Sequence, residues 1–341
     1  MTVTVKEYGV LPDGRRADVF LLDGGKGVRA AVTNYGGILT SLSAPDRNGV
    51  PGEVCLGLGG LDEYLGRRNF FGAIVGRCAN RIRDGRFVLD GVKYRLWINE
   101  KGVHLHGGEA GFSRKLWRAE TEPGGVRLEY DSPDGEESYP GNLRVTVRYL
   151  LDGGDLRLEY RAVTDRPTIV NLTNHAFFNL NGCADTVLAH EAIMRADRYT
   201  PVDAALLPTG ETAAVAGTPF DFTMPKTIGR DIAAIPGGYD HNFVLSEEAR
   251  EDGDWQVTVR EPVSGRVLSM RTTEPGFQFY SGNYLDGTFV SPGGIPFRRH
   301  YGFCLEAQKP PDAVNQPGFP STILRPGEEY RQTTVYRLGV E

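Results

Sequence analysis

The chain has 341 residues, a formal net charge of −6 and a hydrophobic share of 40%. That share sustains a large core, and an acidic balance without a long basic run excludes a nucleic-acid surface, which needs clustered Lys and Arg. The 44 Gly and 21 Pro favour many short strands joined by turns over long helices.

The start, Met1 to Tyr8, lacks the charged head and apolar run of a secretory leader. No window is apolar over the length that a bilayer crossing needs. The expected location is the cytoplasm, with no membrane partner. Cys55, Cys78, Cys183 and Cys304 are scattered and form no Cys-x-x-Cys pair, so they read as buried thiols of a reducing compartment.

In chain order, Leu61 to Leu65 has the length of about one helical turn. Phe87 to Leu96 reads as two strands reversed at Asp90-Gly91, and Val126 to Tyr130 alternates apolar and polar residues. Leu143 to Tyr149 alternates cleanly, Asp152-Gly153-Gly154 reverses the chain, and Leu156 to Tyr160 alternates again, which predicts a hairpin with one face buried. Thr168 to Thr173 is a strand-like run. Ser246 to Arg250 has the length of a second short helix. Trp255 to Arg260 and Val267 to Met270 flank a turn at Ser264-Gly265, and the apolar surroundings of Glu306 in Tyr301 to Gln308 predict a buried strand. No βαβ rhythm, linker or fixed-period repeat is present, so the fold class is all-β: one large antiparallel β-sandwich over residues 1–341.

Of the six histidines, His106, His175 and His241 lie in polar, Gly- or Asn-rich surroundings. His175 follows the strand-like run and is bracketed by Asn174 and Asn179, amides able to fix an imidazole's tautomer. It reads either as a satisfied core histidine or as an acid–base group. A carboxylate in the apolar strand around Glu306 is costly unless paired or functional, and burial also tunes a carboxylate for general base work. Arg81 carries a guanidinium that can fork onto sugar oxygens or a carboxylate. Asp240 follows Gly237-Gly238 in what reads as a loop, where it serves a ligand or a turn. His104 and His106 would share a face if both lay on a strand, a potential metal pair, but no third ligand stands at diagnostic spacing. No Gly-x-Gly-x-x-Gly or Walker-type loop is present, so no nucleotide cofactor is expected.

Seven segments in order carry a resemblance: Asn34 to Leu39; Gly76 to Ile82; Leu105 to Gly108 with Gly111-Phe112; Asn171 to His175; Gly238 to Phe243; Pro275 to Asn283; and Gly302 to Glu306 with Pro311 to Gln316. Together they resemble the aldose 1-epimerase, or galactose mutarotase, family. The resemblance implies a many-stranded β-sandwich with an open sugar cleft, Glu306 as general base and His175 as general acid. His106, Arg81 and Asp240 look like the family's sugar-contacting residues, and Gln278 and Asn80 match further cleft positions. Cys78 and the pair Ala176-Phe177 depart from the family's usual residues, and Phe177 lacks a hydroxyl.

Hemiacetal opening needs one base at O1 and one acid at O5, and every proton is returned on closure. No cofactor and no metal are therefore expected. The partner is a small sugar, an aldohexose, acted on by a monomer or homodimer. Carboxylate charge from Glu306 or Asp240 is expected to raise the pKa of His175. Competing readings are a non-catalytic carbohydrate-binding protein of the same fold, a glycosidase working with two carboxylates, and a hexose-6-phosphate epimerase, which would need a cation cluster beyond Arg81.

Overall fold

The computed structural model describes residues 2–341. Where the sequence alternates, the backbone pairs. Leu143–Asp152 and Asp155–Thr164 form a two-residue hairpin in which Asp152 faces Asp155, with Gly153 at φ 58°, the sign such a reversal demands. One face of both strands is buried and the other is not.

These strands belong to a nine-stranded antiparallel sheet. Its order is Arg118–Glu122, Gly125–Ser132, Leu143–Asp152, Asp155–Thr164, Tyr330–Val340, Arg266–Thr272, Val257–Arg260, Glu191–Met194 and Lys226–Thr227. A sequential five-stranded meander, Thr2–Val10 through Pro51–Glu53, lays Phe20, Leu22, Ala30, Val32 and Leu42 into the same core as Val145, Val147, Leu156 and Leu158 of the long sheet. This is the face-to-face burial of a β-sandwich. A second five-stranded sheet runs Ala213–Ala214, Arg198–Tyr199, Asp240–Val244, Gly276–Tyr280 and Cys304–Ala307. It is tied to the long sheet by the Tyr336 hydroxyl, which donates to the Leu305 carbonyl at 2.8 Å.

The two short helices fall where the sequence places them, at Leu61–Gly66 and Glu247–Glu251. The second is capped by Ser246, whose side chain accepts from the Ala249 N–H. The run Thr168 to Thr173 is not one strand. Thr168–Ile169 pairs with Ile323–Leu324, whereas Thr173–Asn174 pairs with Ile74–Val75, because two different neighbours claim its ends. Asp240 opens a strand, not a loop: it faces Tyr280 across the ladder.

Candidate active site

The second five-stranded sheet separates two chemistries by side-chain parity. Successive residues of a strand point to opposite faces. On Asp240–Val244, Gly276–Tyr280 and Cys304–Ala307, one face therefore collects Asp240, Asn242, Gln278, Tyr280, Cys304 and Glu306. The other collects Phe243, Phe277, Phe279 and Leu305, which join the core. The register sets Gln278 opposite both Asn242 and Glu306. The polar face looks into a cavity of about 690 Å³, lined among others by Asn80, Arg81, His106, His175, Asp240 and Glu306.

Five separate segments supply these groups. Asn80 and His106 both sit at positive φ, 60° and 52°. They bracket each other: the Asn80 N–H donates to His106 Nδ1 at 3.2 Å and the His106 N–H donates to the Asn80 carbonyl at 3.0 Å. The turn after His106 is closed by Gly107, at φ 85°, where a Cβ would lie 1.7 Å from the Gly76 carbonyl oxygen. Arg81 starts the strand Arg81–Arg83 and pairs in register with Leu105. Its guanidinium stands 3.6 Å from Asp240. His175 follows the short strand Thr173–Asn174 and lies between Phe70, with ring centroids 5.8 Å apart, and Phe177, at 5.0 Å.

His175 Nε2 is 3.6 Å from Glu306 Oε1, and both residues are buried. Glu306 Oε2 is buried with no hydrogen-bond partner among the described residues. Burial, then the charge of Asp240, hold the Glu306 carboxyl well above the usual carboxylate range, against the pull of Arg81. Burial also takes His175 down to about 4, outweighing its own carbonyl and Asp240, which act upward. The expected upward shift at His175 is therefore corrected: desolvation of the imidazolium exceeds the attraction of Asp240.

Of the other cleft residues expected from sequence, Gln278 shares the polar face with Asp240 and Glu306 but is not among the residues that line the cavity. Its Nε2 donates to Asp240 Oδ1 at 2.7 Å, so it holds the carboxylate that Arg81 also faces. Asn174 and Asn179 do not hold the His175 ring. Asn174 Nδ2 donates to the Gly72 carbonyl and the Tyr149 hydroxyl, and Asn179 Nδ2 donates to the carbonyls of Asp185 and Tyr301. The ring's Nδ1 instead meets Cys304 Sγ at 3.6 Å. Sequence reading left Cys304 among the structural thiols, although its place two residues before Glu306 puts it on the same strand face. The cleft also takes in Arg68 and Lys101, cations not singled out from sequence. Arg68 is engaged by the Asn99 carbonyl and by Glu100 and Glu109.

His104 and His106 part company. His104 ends its contacts at the Trp97 carbonyl and the Tyr139 hydroxyl, while the left-handed turn at His106 sends that ring to the cleft. His106, His175 and Glu306 do bring one ligand atom each to within 4.8 Å of one another, as a metal ion would require. The hydrogen bonding does not fit one. A backbone donor on His106 Nδ1 keeps the neutral ring's proton on Nε2, so no lone pair faces the cleft. That ring stays neutral because burial, then His175, push its pKa well below the ordinary value. It presents an N–H donor to the cleft.

Residues 18–337 match the family model described as Aldose 1-epimerase. The chain belongs to the aldose 1-epimerase family. It is 45% identical over 343 residues to the galactose mutarotase of Rattus norvegicus, covering 100% of this chain and 99% of that protein. It is 36% identical to the aldose 1-epimerase of Escherichia coli (strain K12), covering 97% of each. Among solved structures, the galactose 1-epimerase from Lactobacillus acidophilus NCFM superposes with a TM-score of 0.86 at 29% identity, covering 99% of both chains. The chain is thus an isomerase with aldose 1-epimerase activity, and its antiparallel sandwich is the fold of that family. The reading as a passive carbohydrate-binding protein gives way to this one.

Proposed function

We propose that Glu306 and His175 form the acid–base pair that interconverts the α and β anomers of free aldohexoses such as galactose and glucose. The observation that carries this reading is the orphaned Glu306 Oε2, buried beside an imidazole nitrogen 3.6 Å from its sister oxygen. Glu306 as carboxylate takes the O1 proton while His175 Nε2–H protonates O5. The C1–O5 bond breaks and O1 becomes the aldehyde oxygen. After rotation about C1–C2, O5 attacks the other face of C1, returning its proton to His175 as Glu306 returns the other to O1.

The pair carries one proton throughout, and only its position changes. Opening converts a carboxylate and an imidazolium into a carboxylic acid and a neutral imidazole. Burial favours that neutral pair, as the directions of both pKa shifts show. Desolvation therefore favours the opened arrangement of the pair and, to the same extent, disfavours the carboxylate–imidazolium arrangement from which opening starts and which reclosure regenerates. His106 Nε2–H, Arg81, Asn80 and Asp240 hold sugar hydroxyls so that the open chain recloses in place. Neutral sugars suit this set, since Arg68 is already committed to Glu100 and Glu109, Lys101 is a single further cation in the lining, and an anion would meet Asp240 and Glu306. The described residues include no helix long and apolar enough to cross a membrane. We place the protein in the cytoplasm, where four buried free thiols stay reduced.

Glu306→Gln keeps the shape of the side chain and removes the base. Polarimetry on freshly dissolved α-galactose should show a loss of about 10²–10⁴-fold in kcat, while calorimetry still detects sugar binding. Retention of most of the kcat would remove Glu306 from the role of base.

A further inference from the structure

His175 has two ring nitrogens with different surroundings. Nε2 faces Glu306 Oε1, and Nδ1 faces Cys304 Sγ at 3.6 Å. For Nε2 to give and take a proton, Nδ1 must keep its own. Otherwise the neutral ring carries its hydrogen on Nε2 and has no lone pair there to receive the proton back from O5. A retained Nδ1–H in a buried site needs an acceptor. The ring's own carbonyl is one acceptor, hydrogen-bonded to the ring and raising its pKa, but it shares that oxygen with the Gly72 N–H. The amide oxygens of the flanking Asn174 and Asn179 accept from the Ala176 and Asn181 N–H groups instead. The acceptor that nothing else shares is the sulfur of Cys304, 3.6 Å from Nδ1 and wholly buried on the same strand face as Glu306.

The choice of a thiol has a physical sense. Burial, then the Glu306 charge, hold the Cys304 pKa well above its ordinary value, so the sulfur remains a neutral, weak acceptor. An aspartate in its place would add a negative charge beside Glu306 and Asp240 and would grip the imidazolium, holding back the proton that must reach O5. An alanine would leave Nδ1–H with a shared carbonyl alone.

We infer that Cys304 is a positioning residue for His175: its sulfur accepts the Nδ1–H and fixes the ring in the tautomer whose Nε2 exchanges a proton with the sugar. The inference rests on the acid role proposed for His175, and its test reads the two separately. Cys304→Ala and Cys304→Ser are compared with the parent by polarimetry and by nitrogen-15 NMR of histidine-labelled, sugar-free protein. Loss of a charged tautomer-fixing partner costs about 10⁴-fold in a serine protease triad, and a neutral sulfur accepts more weakly. Cys304→Ala should therefore lose about 10-fold in kcat with KM within about 2-fold, scaled down from that case. The His175 nitrogen signals should move from the Nδ1–H tautomer toward a mixture. Cys304→Ser, whose oxygen can accept the same hydrogen, should recover part of both. An unchanged tautomer in Cys304→Ala, or a serine variant no better than alanine in both readouts, overturns the inference. Full turnover in His175→Asn would instead sink the acid role, while the tautomer shift in Cys304→Ala would still stand.

Discussion

Asp240 is held from two sides, by Gln278 Nε2 at 2.7 Å and by the Arg81 guanidinium at 3.6 Å. Its charge acts upward on both members of the pair, second to burial at Glu306 and opposing burial at His175. The working state holds one proton on the pair. Two protons fill it at low pH and none remain at high pH, so kcat should follow a bell whose limbs belong to the pair. Asp240→Asn removes a negative charge facing Glu306, His175 and Arg81, and so weakens proton binding at both members. Both limbs of the kcat profile should move to lower pH, the alkaline limb most visibly. An alkaline limb that stays in place or moves up would deny Asp240 this influence. The two residues were singled out from the motifs that contain them, and the structure brings them within 3.6 Å of each other. The direction of the His175 shift was not legible there, since charge neighbours can be guessed from sequence whereas the depth of burial around one ring cannot.

At the scale of the element, the sheet that carries Asp240, Gln278 and Glu306 works as a partition. One face is polar, and the other stacks Phe243, Phe277 and Phe279 with Phe222, Tyr239 and Phe303. Phe279 is fully buried. Phe279→Ala should cost about 3–5 kcal/mol of stability, through lost transfer energy and an unfilled cavity. A urea titration would measure it, with KM of the folded fraction little changed because no cleft-facing group moves. A loss under about 1 kcal/mol would mean that the aromatic face is not the anchor of the sheet. Strands such as Leu143–Asp152 were readable because solvent lies on one side and the alternation is visible. Asp240–Val244 is buried at four of its five positions, with loops and ligand cleft covering its polar side, so Asp240 read as a loop residue. Gln278 was expected in the cleft from the family resemblance alone; which neighbour its amide reaches, Asp240, is set by the strand register, which the motif does not give.

Across the whole molecule, histidines are buried beyond the proposed acid–base pair. Burial holds His104, His175, His190 and His241 down to about 4. Their folded values lie below the unfolded value, so this contribution is fully present above about pH 6.5 and is lost as pH falls toward 4, where the unfolded chain takes up protons first. Each adds a slope of at most about 1.4 kcal/mol per pH unit in that window. Glu306, shifted up, acts with the opposite sign and loses its contribution as pH rises. His190 Nε2 accepts from the Leu180 N–H, an acceptance that glutamine can imitate without titrating. Urea midpoints for His190→Gln at pH 7, 6 and 5 should fall less steeply than the parent's, by about one proton; equal slopes would refute this. The strand order of the long sheet has a consequence for synthesis. Tyr330–Val340 sits between Asp155–Thr164 and Arg266–Thr272. Until residues 330–340 have been made, Asp155–Thr164 and Arg266–Thr272 lack the strand that joins them, so any part of the sheet that forms earlier carries a bare strand edge open to neighbouring chains and to whatever chaperone shields it.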